Sequence, residues 1–432
     1  MKTNVLQKFF ELINEKLQYA VLRNYSELPE KSGRDIDLIV DRIQFFRERK
    51  NIVNLFAEHG FSLVQYFKGG EMHSMVFGRV DDEVEMISFD FLFSIYAKST
   101  LLLEAKQILS FRQYNGKIYH VRKDYEFIAK YLYNRVLGAA YPAKYKEVRE
   151  TALLNYSENI SNILTSVFGD KISDSDSFSY IYVKCKSLYR YGVYSLVATF
   201  RHWWQCFLNV MRPAGFSVGF TGPDGSGKTT VIDLCIVGMG NVFSNGHVLY
   251  HFRPHLFGNL GEVAHAAGVK KEVDRDYSKP HRGRKTGMLS SLIRLCYYSI
   301  DYVFGFWSRI NVGLFRRNLV IFDRYYTDIM ADSRRSCIYL PLRFLYWFGK
   351  LFIPSLDYNI LLTASAEHIL ARKRELDEEG IRSINEKLDY LAGKSGYKLF
   401  LNEGTPQQAA HAILSYLFAE QHKKNLKRLG MK

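Results

Sequence analysis

The segment from Phe216 to Thr230 constrains this chain more than any other. A short apolar strand, Phe216-Ser217-Val218-Gly219-Phe220-Thr221, runs directly into Gly222-Pro223-Asp224-Gly225-Ser226-Gly227-Lys228-Thr229-Thr230. The spacing is G-x-x-x-x-G-K-[ST], and the apolar pattern after it predicts a helix over Thr229–Ile236. Each residue type in the loop answers a physical need. Gly222, Gly225 and Gly227, with Ser226 and Thr230 beside them, let backbone amides converge on phosphate oxygens, and the helix N-terminus adds a favourable dipole. Lys228 reaches the transferred phosphoryl group, and the Thr229 hydroxyl suits magnesium. The cofactors implied are ATP and Mg2+. A chance match to the motif would lack the strand before and the helix after it.

Length and composition set the frame around this loop. A chain of 432 residues is too long for one ordinary core, and about one domain per 100–200 residues predicts two or three. Apolar residues at 47% and aromatics at 15% exclude a largely disordered chain. The formal charge is +15 and sits mainly after residue 213, where 30 basic side chains face 20 acidic ones. Such a balance points to polyanionic partners, whether nucleotide, nucleic acid or an anionic membrane surface. The five cysteines lie far apart without a C-x-x-C pair, so neither a disulfide framework nor zinc is expected. The N-terminal stretch is broken by Lys8, Glu11, Glu15 and Lys16 and lacks the apolar run of a signal peptide, which predicts a cytoplasmic location. The most hydrophobic windows, Tyr194–Met211 and Met288–Trp307, carry charges that argue against a membrane span.

The pattern divides into three segments: 1–125, mixed helix and strand; 126–212, helical; and 213–432, a P-loop domain with alternating apolar runs and helices that predict a parallel α/β sheet. In the first, Ala20–Leu22, Asp35–Val40 and Val84–Phe91 read as strands, the last preceded by a turn at Asp81–Glu83.

Four elements of the last segment, in order, resemble the thymidylate kinase family. They are the loop with its acid at Asp224; His251-Phe252-Arg253-Pro254 after a strand; Leu319-Val320-Ile321-Phe322 ending in Asp323-Arg324-Tyr325; and Ile360–Thr363 leading to a helix with Arg372, Lys373 and Arg374. The resemblance spans about 216–418. It implies that Asp323 orients the magnesium shell, that Arg324 and Arg253 hold the acceptor, that Arg372 and Arg374 stabilise charge shared by donor and acceptor, and that Asp224 bonds an acceptor hydroxyl. The plain alternatives are a surface arginine at 253 and a solvated helix face at 372–374. Departures limit the substrate: Lys228 and Asp323 are 95 residues apart, with a basic stretch, Lys270–Lys285, and a long aromatic helix, Met288–Phe315, between them. Longer chains of this kind resemble proteins encoded among bacterial surface-polysaccharide genes, which implies a sugar or glycan acceptor; the extended Lys270–Phe315 region, with no residues placed to stack thymine, makes thymidylate a poor one.

Asp35-Ile36-Asp37-Leu38-Ile39-Val40 resembles the D-x-D strand of the nucleotidyltransferase superfamily. Asp35 and Asp37 point to one face of a strand, and Asp90 on a neighbouring strand would complete a metal-binding set of three. The family's glycine-serine turn is replaced by Arg23-Asn24. The resemblance therefore implies an α+β nucleotidyltransferase-like domain that is either catalytic or a degenerate module recruiting substrate. Between the two domains, Tyr180–Arg212 interleaves aromatics with basic residues and reads as a helical connector with its aromatics in the core; the alternative is a helix lying on a membrane surface, giving a peripheral membrane location.

Three function classes stay open: a kinase acting on a small-molecule, nucleotide or glycan acceptor; a nucleotide-responsive regulatory module without acceptor turnover; and a nucleic-acid-binding protein. The paired Asp323-Arg324 and the further arginines favour the first, and nucleic acid is not expected as a partner.

Overall fold

The computed structural model describes residues 2–169, 177–239, 243, 246–254, 256–257, 287–373 and 375–431. The chain forms two compact units: Met1–Arg79, Glu85–Arg212 and Phe418–Lys432 in the first, and Val80–Val84 with Pro213–Leu417 in the second. The helices of 126–212 thus count with the N-terminal unit, as do the last fifteen residues of the chain.

The first unit is built on a mixed sheet of β1 (Tyr19–Val21), β2 (Ile36–Val40), β3 (Ser62–Lys68), β4 (Met72–Val80), β5 (Val84–Leu92), β8 (Gln113–Tyr114) and β9 (Tyr119–His120), ordered β3-β4-β5-β2-β1-β9-β8. A separate hairpin joins β6 (Ser94–Ala97) and β7 (Thr100–Glu104). Side chains alternate across the sheet, and this decides where the acids go. Ile36, Leu38 and Val40 of β2, with Phe89 and Phe91 of β5, pack under Phe9, Ile13, Phe45 and Phe56 from the helices Lys2–Lys16 and Arg42–Glu58. Asp37 and Asp90 lie between those residues in sequence and therefore face the other way. They are also partners in the parallel register of β2 and β5, so they stand side by side.

On that opposite face Ala20, Leu22 and Ile39 pack with Ile128, Leu132, Ile160 and Ile163 from the helices Lys123–Leu137 and Lys146–Phe168, and with Val183 of Tyr180–Tyr191. These helices are the second layer of the sheet, which their apolar sides complete. The aromatics of the next helix, Val193–Met211, depart from expectation: Phe200, Trp203 and Trp204 are exposed and form no part of the core.

The second unit is a five-stranded parallel sheet of β10 (Phe216–Thr221), β11 (His247–His251), β12 (Leu319–Asp323), β13 (Tyr358–Thr363) and β14 (Tyr397–Leu401), ordered β11-β12-β10-β13-β14. The chain begins at the centre with β10, moves out to β11, returns through β12 and then crosses to β13. The winding direction reverses at β10, and ligands of open α/β sheets bind outside the carboxyl ends of the strands at such a point. No described helix is long and apolar enough to cross a membrane.

Candidate active site

The loop after β10 is held in a form that tolerates little but glycine. Gly225 and Gly227 have φ of 86° and 84°, a backbone region costly to L-residues with a side chain. A Cβ on Gly222 would stand 2.0 Å from the carbonyl oxygen of Leu362. The helix Lys228–Met239 follows at once, with Thr229 and Thr230 exposed in its first turn. Lys228 is buried and folds back over the loop, donating to the carbonyl oxygens of Gly222 at 2.7 Å and Pro223 at 2.8 Å. Burial, reinforced by the Arg324 cation, pushes the Lys228 ammonium down to about 7, against the pull of Asp224, Asp328 and Asp323. A buried ammonium that is hard to charge is poised to gain from any anion brought to it.

Strand β12 delivers the acid. Phe220 and Asp323 are register partners, so Asp323 reaches the carboxyl edge of the sheet beside the start of the loop. Its Oδ2 lies 3.3 Å from His251 Nδ1 at the end of β11, while Oδ1 is buried with no hydrogen-bond partner among the described residues. Arg324 follows with φ of 75°, an unusual backbone for a side chain of this size, and its amide donates to Phe220 O at 2.9 Å. Such a residue costs roughly 1–3 kcal/mol, and these strained positions cluster at functional sites. The turn aims the guanidinium at the loop: Nη2 is 2.5 Å from Asp224 Oδ1 and Nη1 is 3.1 Å from Asp328 Oδ1. Burial opposes the Arg324 charge, but Asp328, Asp224 and Asp323 more than offset this and hold its pKa above the ordinary value.

Two participants carry no sequence signal. Arg335, in the short helix Ser333–Ser336, pairs with the second oxygen of Asp224. Asp224 is thus clasped by two arginines, so the oxygen expected to meet an acceptor hydroxyl already has a partner. Asn402, just past β14 and almost wholly buried, donates from Nδ2 to Ser226 O at 2.8 Å and so fixes the loop from the far side. Arg372 closes the same edge, donating to Asn402 O at 3.1 Å, and a Cβ on Gly227 would lie 3.8 Å from its Nη1. Lys373 Cβ would stand 3.3 Å from one on Gly225. Arg374 and the basic stretch 270–285 lie outside the described residues.

Arg253 is placed differently from the other arginines. It is 1% exposed, its Nη1 is 3.2 Å from Asp301 Oδ2, and its guanidinium lies over the Tyr298 ring. Asp301 also accepts from the amides of Leu256 and Phe257, at 2.8 and 3.1 Å. The arrangement is a strut that fixes the segment after β11 to the helix Met288–Gly305.

The first unit gathers the three acids singled out in the sequence. Asp35, Asp37 and Asp90 each place a carboxylate oxygen within 4.8 Å of the others, a donor set that fits a divalent cation. Arg23 intrudes on it: Nε is 2.5 Å from Asp37 Oδ2 and Nη2 is 3.9 Å from Asp35 Oδ2. Burial pushes the Asp37 carboxyl up to about 6; Arg23 pulls it down, and Asp90 and Asp35 raise it further. Asp37 and Asp90 line a cavity of about 330 Å³ that also takes in Lys130, Tyr133 and Tyr145. At its rim buried Glu71 is held by Arg42 at 3.0 Å and Arg201 at 2.9 Å.

A pH dependence follows for Asp37. A folded-state pKa near 6, above the unfolded value near 3.9, means that its contribution to stability is fully present below about pH 4 and is lost as pH rises through 6. The two-unit difference corresponds to roughly 3 kcal/mol. Asp37→Asn is expected to flatten the full-length protein's melting temperature between pH 4 and 7 and to remove most of any stabilisation by magnesium or manganese at pH 7. An unchanged pH profile in this variant would show that Asp37 titrates normally.

No protein-family model and no curated protein sequence matches the chain. Among solved structures, it is similar to thymidylate kinase from Ehrlichia chaffeensis, at 17% identity over 48% of this chain and 99% of that chain, with a TM-score of 0.31.

Proposed function

We propose that the second unit is an ATP- and magnesium-dependent phosphotransferase acting on a small-molecule, nucleotide or glycan acceptor. The observation that carries this reading is the meeting, at the carboxyl edge of one parallel sheet, of the Gly222–Lys228 loop with Asp323 and Arg324. Phosphoryl transfer asks little covalent chemistry of a protein and much positioning and charge neutralisation. The loop amides and Lys228 hold the donor phosphates. Arg324 and Arg335, locked by Asp224, line the neighbouring ground, and Arg372 closes the edge beside Gly227. The buried, unpartnered Oδ1 of Asp323 and the exposed hydroxyl of Thr229 are the hard oxygen donors that magnesium prefers, and they would hold it. When bound, the ion supplies charge neutralisation on the donor phosphates. Arg253 supports the acceptor side from within the fold.

For the first unit, recruitment of the acceptor accounts for more than nucleotidyl transfer does. Arg23 stands where the superfamily has its glycine-serine turn and already neutralises Asp37. Pyrophosphate release from any ribonucleoside triphosphate by the full-length protein would reverse this preference.

Steady-state ATP consumption by the full-length protein, with and without fractionated acceptor extracts, tests the phosphotransferase reading against a switch that binds nucleotide without turnover. Acceptor-dependent ADP release is expected, with thymidylate a poor acceptor; saturable conversion of thymidylate to its diphosphate would make the protein a nucleotide kinase of the ordinary type. Asp323→Asn is expected to lower kcat by about a hundredfold while ATP affinity changes little. A variant impaired only in ATP affinity would remove Asp323 from the metal and acceptor side.

A further inference from the structure

We infer that the helix Val193–Met211 docks the protein on an anionic lipid surface. A helix at the edge of a globular unit ordinarily turns its apolar stripe to the core and its polar residues to water. Here the sense is reversed. Leu196, Phe200, Trp203, Trp204, Phe207 and Met211 recur at the spacing of one helix face, and all are exposed, Phe200 at 71%, Trp203 at 62% and Trp204 at 51%. The side turned inward is small and polar. Ser195 Oγ is 2.9 Å from Ser187 Oγ, Thr199 donates to Ser99 O at 3.0 Å, Arg201 pairs with Glu71, and Asn209 donates to Lys68 O at 2.9 Å.

These contacts fix the helix's rotation, so the apolar stripe faces outward by construction. A contiguous apolar face of this kind on a soluble unit marks an interaction surface. Charge then identifies the occupant. From Ser177 to Pro223 the sequence has no aspartate or glutamate, while it carries Lys184, Lys186, Arg190, Arg201 and Arg212, of which Lys184 and Arg212 are exposed. A second copy of the chain meeting this face would oppose basic residues to basic residues, which is unfavourable. An anionic bilayer satisfies both features. Tryptophan and phenylalanine suit the boundary between headgroups and acyl chains, and the exposed Lys184 and Arg212 suit the lipid phosphates, while Arg201 is turned inward to Glu71. The helix would lie in the interface, consistent with its carrying Arg201 and His202. The inference is independent of the reaction proposed above, since no residue of this helix belongs to the loop or to the arginine cluster.

The test is sedimentation of the full-length protein with vesicles of phosphatidylcholine alone or mixed with phosphatidylglycerol. Binding is expected to the mixed vesicles, to weaken as salt is raised, and to fall roughly tenfold or more in the double variant Trp203→Ser, Trp204→Ser. Both side chains are exposed, so the melting temperature should hold. Lys184→Glu provides a second arm, lowering binding to mixed vesicles without altering the apolar stripe. Failure to bind either vesicle, or equal binding by the double variant, would overturn the inference. So would a concentration-dependent dimer in light scattering that the double variant abolishes, because the face would then belong to a second copy.

Discussion

Lys228→Ala is expected to lower turnover by about a thousandfold, equivalent to roughly 4 kcal/mol of lost transition-state stabilisation. The size follows from the setting. In the protein Lys228 is buried, satisfied by two loop carbonyls, and its pKa is pushed down to about 7 by burial and by Arg324. Phosphate oxygens arriving in the loop would replace those carbonyls as partners and favour the charged ammonium. The same reasoning gives a second readout. At pH 8 most of the free protein carries a neutral Lys228, so nucleotide binding should take up close to one proton, seen by calorimetry in buffers of different ionisation enthalpy. Lys228→Ala should remove the uptake along with the turnover. Undiminished phosphotransfer in this variant would refute the loop's role, and proton-neutral binding by the unaltered protein would show that Lys228 does not meet the phosphates.

Asp301→Ala is expected to destabilise the second unit by about 3–5 kcal/mol, since removing one partner of a buried ion pair strands the other. Arg253 and Asp301 side chains are 2% and 0% exposed, and the change would also leave the Leu256 and Phe257 amides without their acceptor. Replacing both partners with apolar residues, Arg253→Met with Asp301→Leu, should recover much of the loss, because no charge is then left buried. Urea unfolding measures the first part. Turnover of the double variant separates the two roles open to Arg253: a strut allows nearly normal kcat in a stable double variant, whereas an arginine that grips acceptor phosphate would lose about a hundredfold whatever the stability. The buried ion pair predicts the former. A stable but inactive double variant would return Arg253 to the acceptor site.

How far the sequence reaches can be judged from individual residues. The expected strand Phe216–Thr221 is β10, the strand expected before His251 is β11, Ile360–Thr363 lies within β13, and the turn at Asp81–Glu83 separates β4 from β5. These are local matters: an apolar run bounded by glycine or charge has few conformations that bury it. Alternation also predicted Asp35 and Asp37 on one face, and Asp35, just before β2, does stand beside Asp37. That Asp90 stands beside Asp37 depends on the parallel register of β2 and β5, and that Arg23 reaches into the group depends on the turn after β1; neither is encoded in spacing.

The sequence by itself determined the glycine-bearing turn of Gly222–Lys228 between a strand and a helix, and that an acid and an arginine close β12, because each is written in a short stretch whose local conformation needs little from the rest of the chain. Only the tertiary structure brought in Asn402, 176 positions beyond the Ser226 carbonyl it holds, and Arg335, 111 beyond Asp224. Only the structure could orient Val193–Met211. Its period shows an apolar stripe in either reading, and the side that meets the fold is the one joined to Glu71, Ser99 and Ser187.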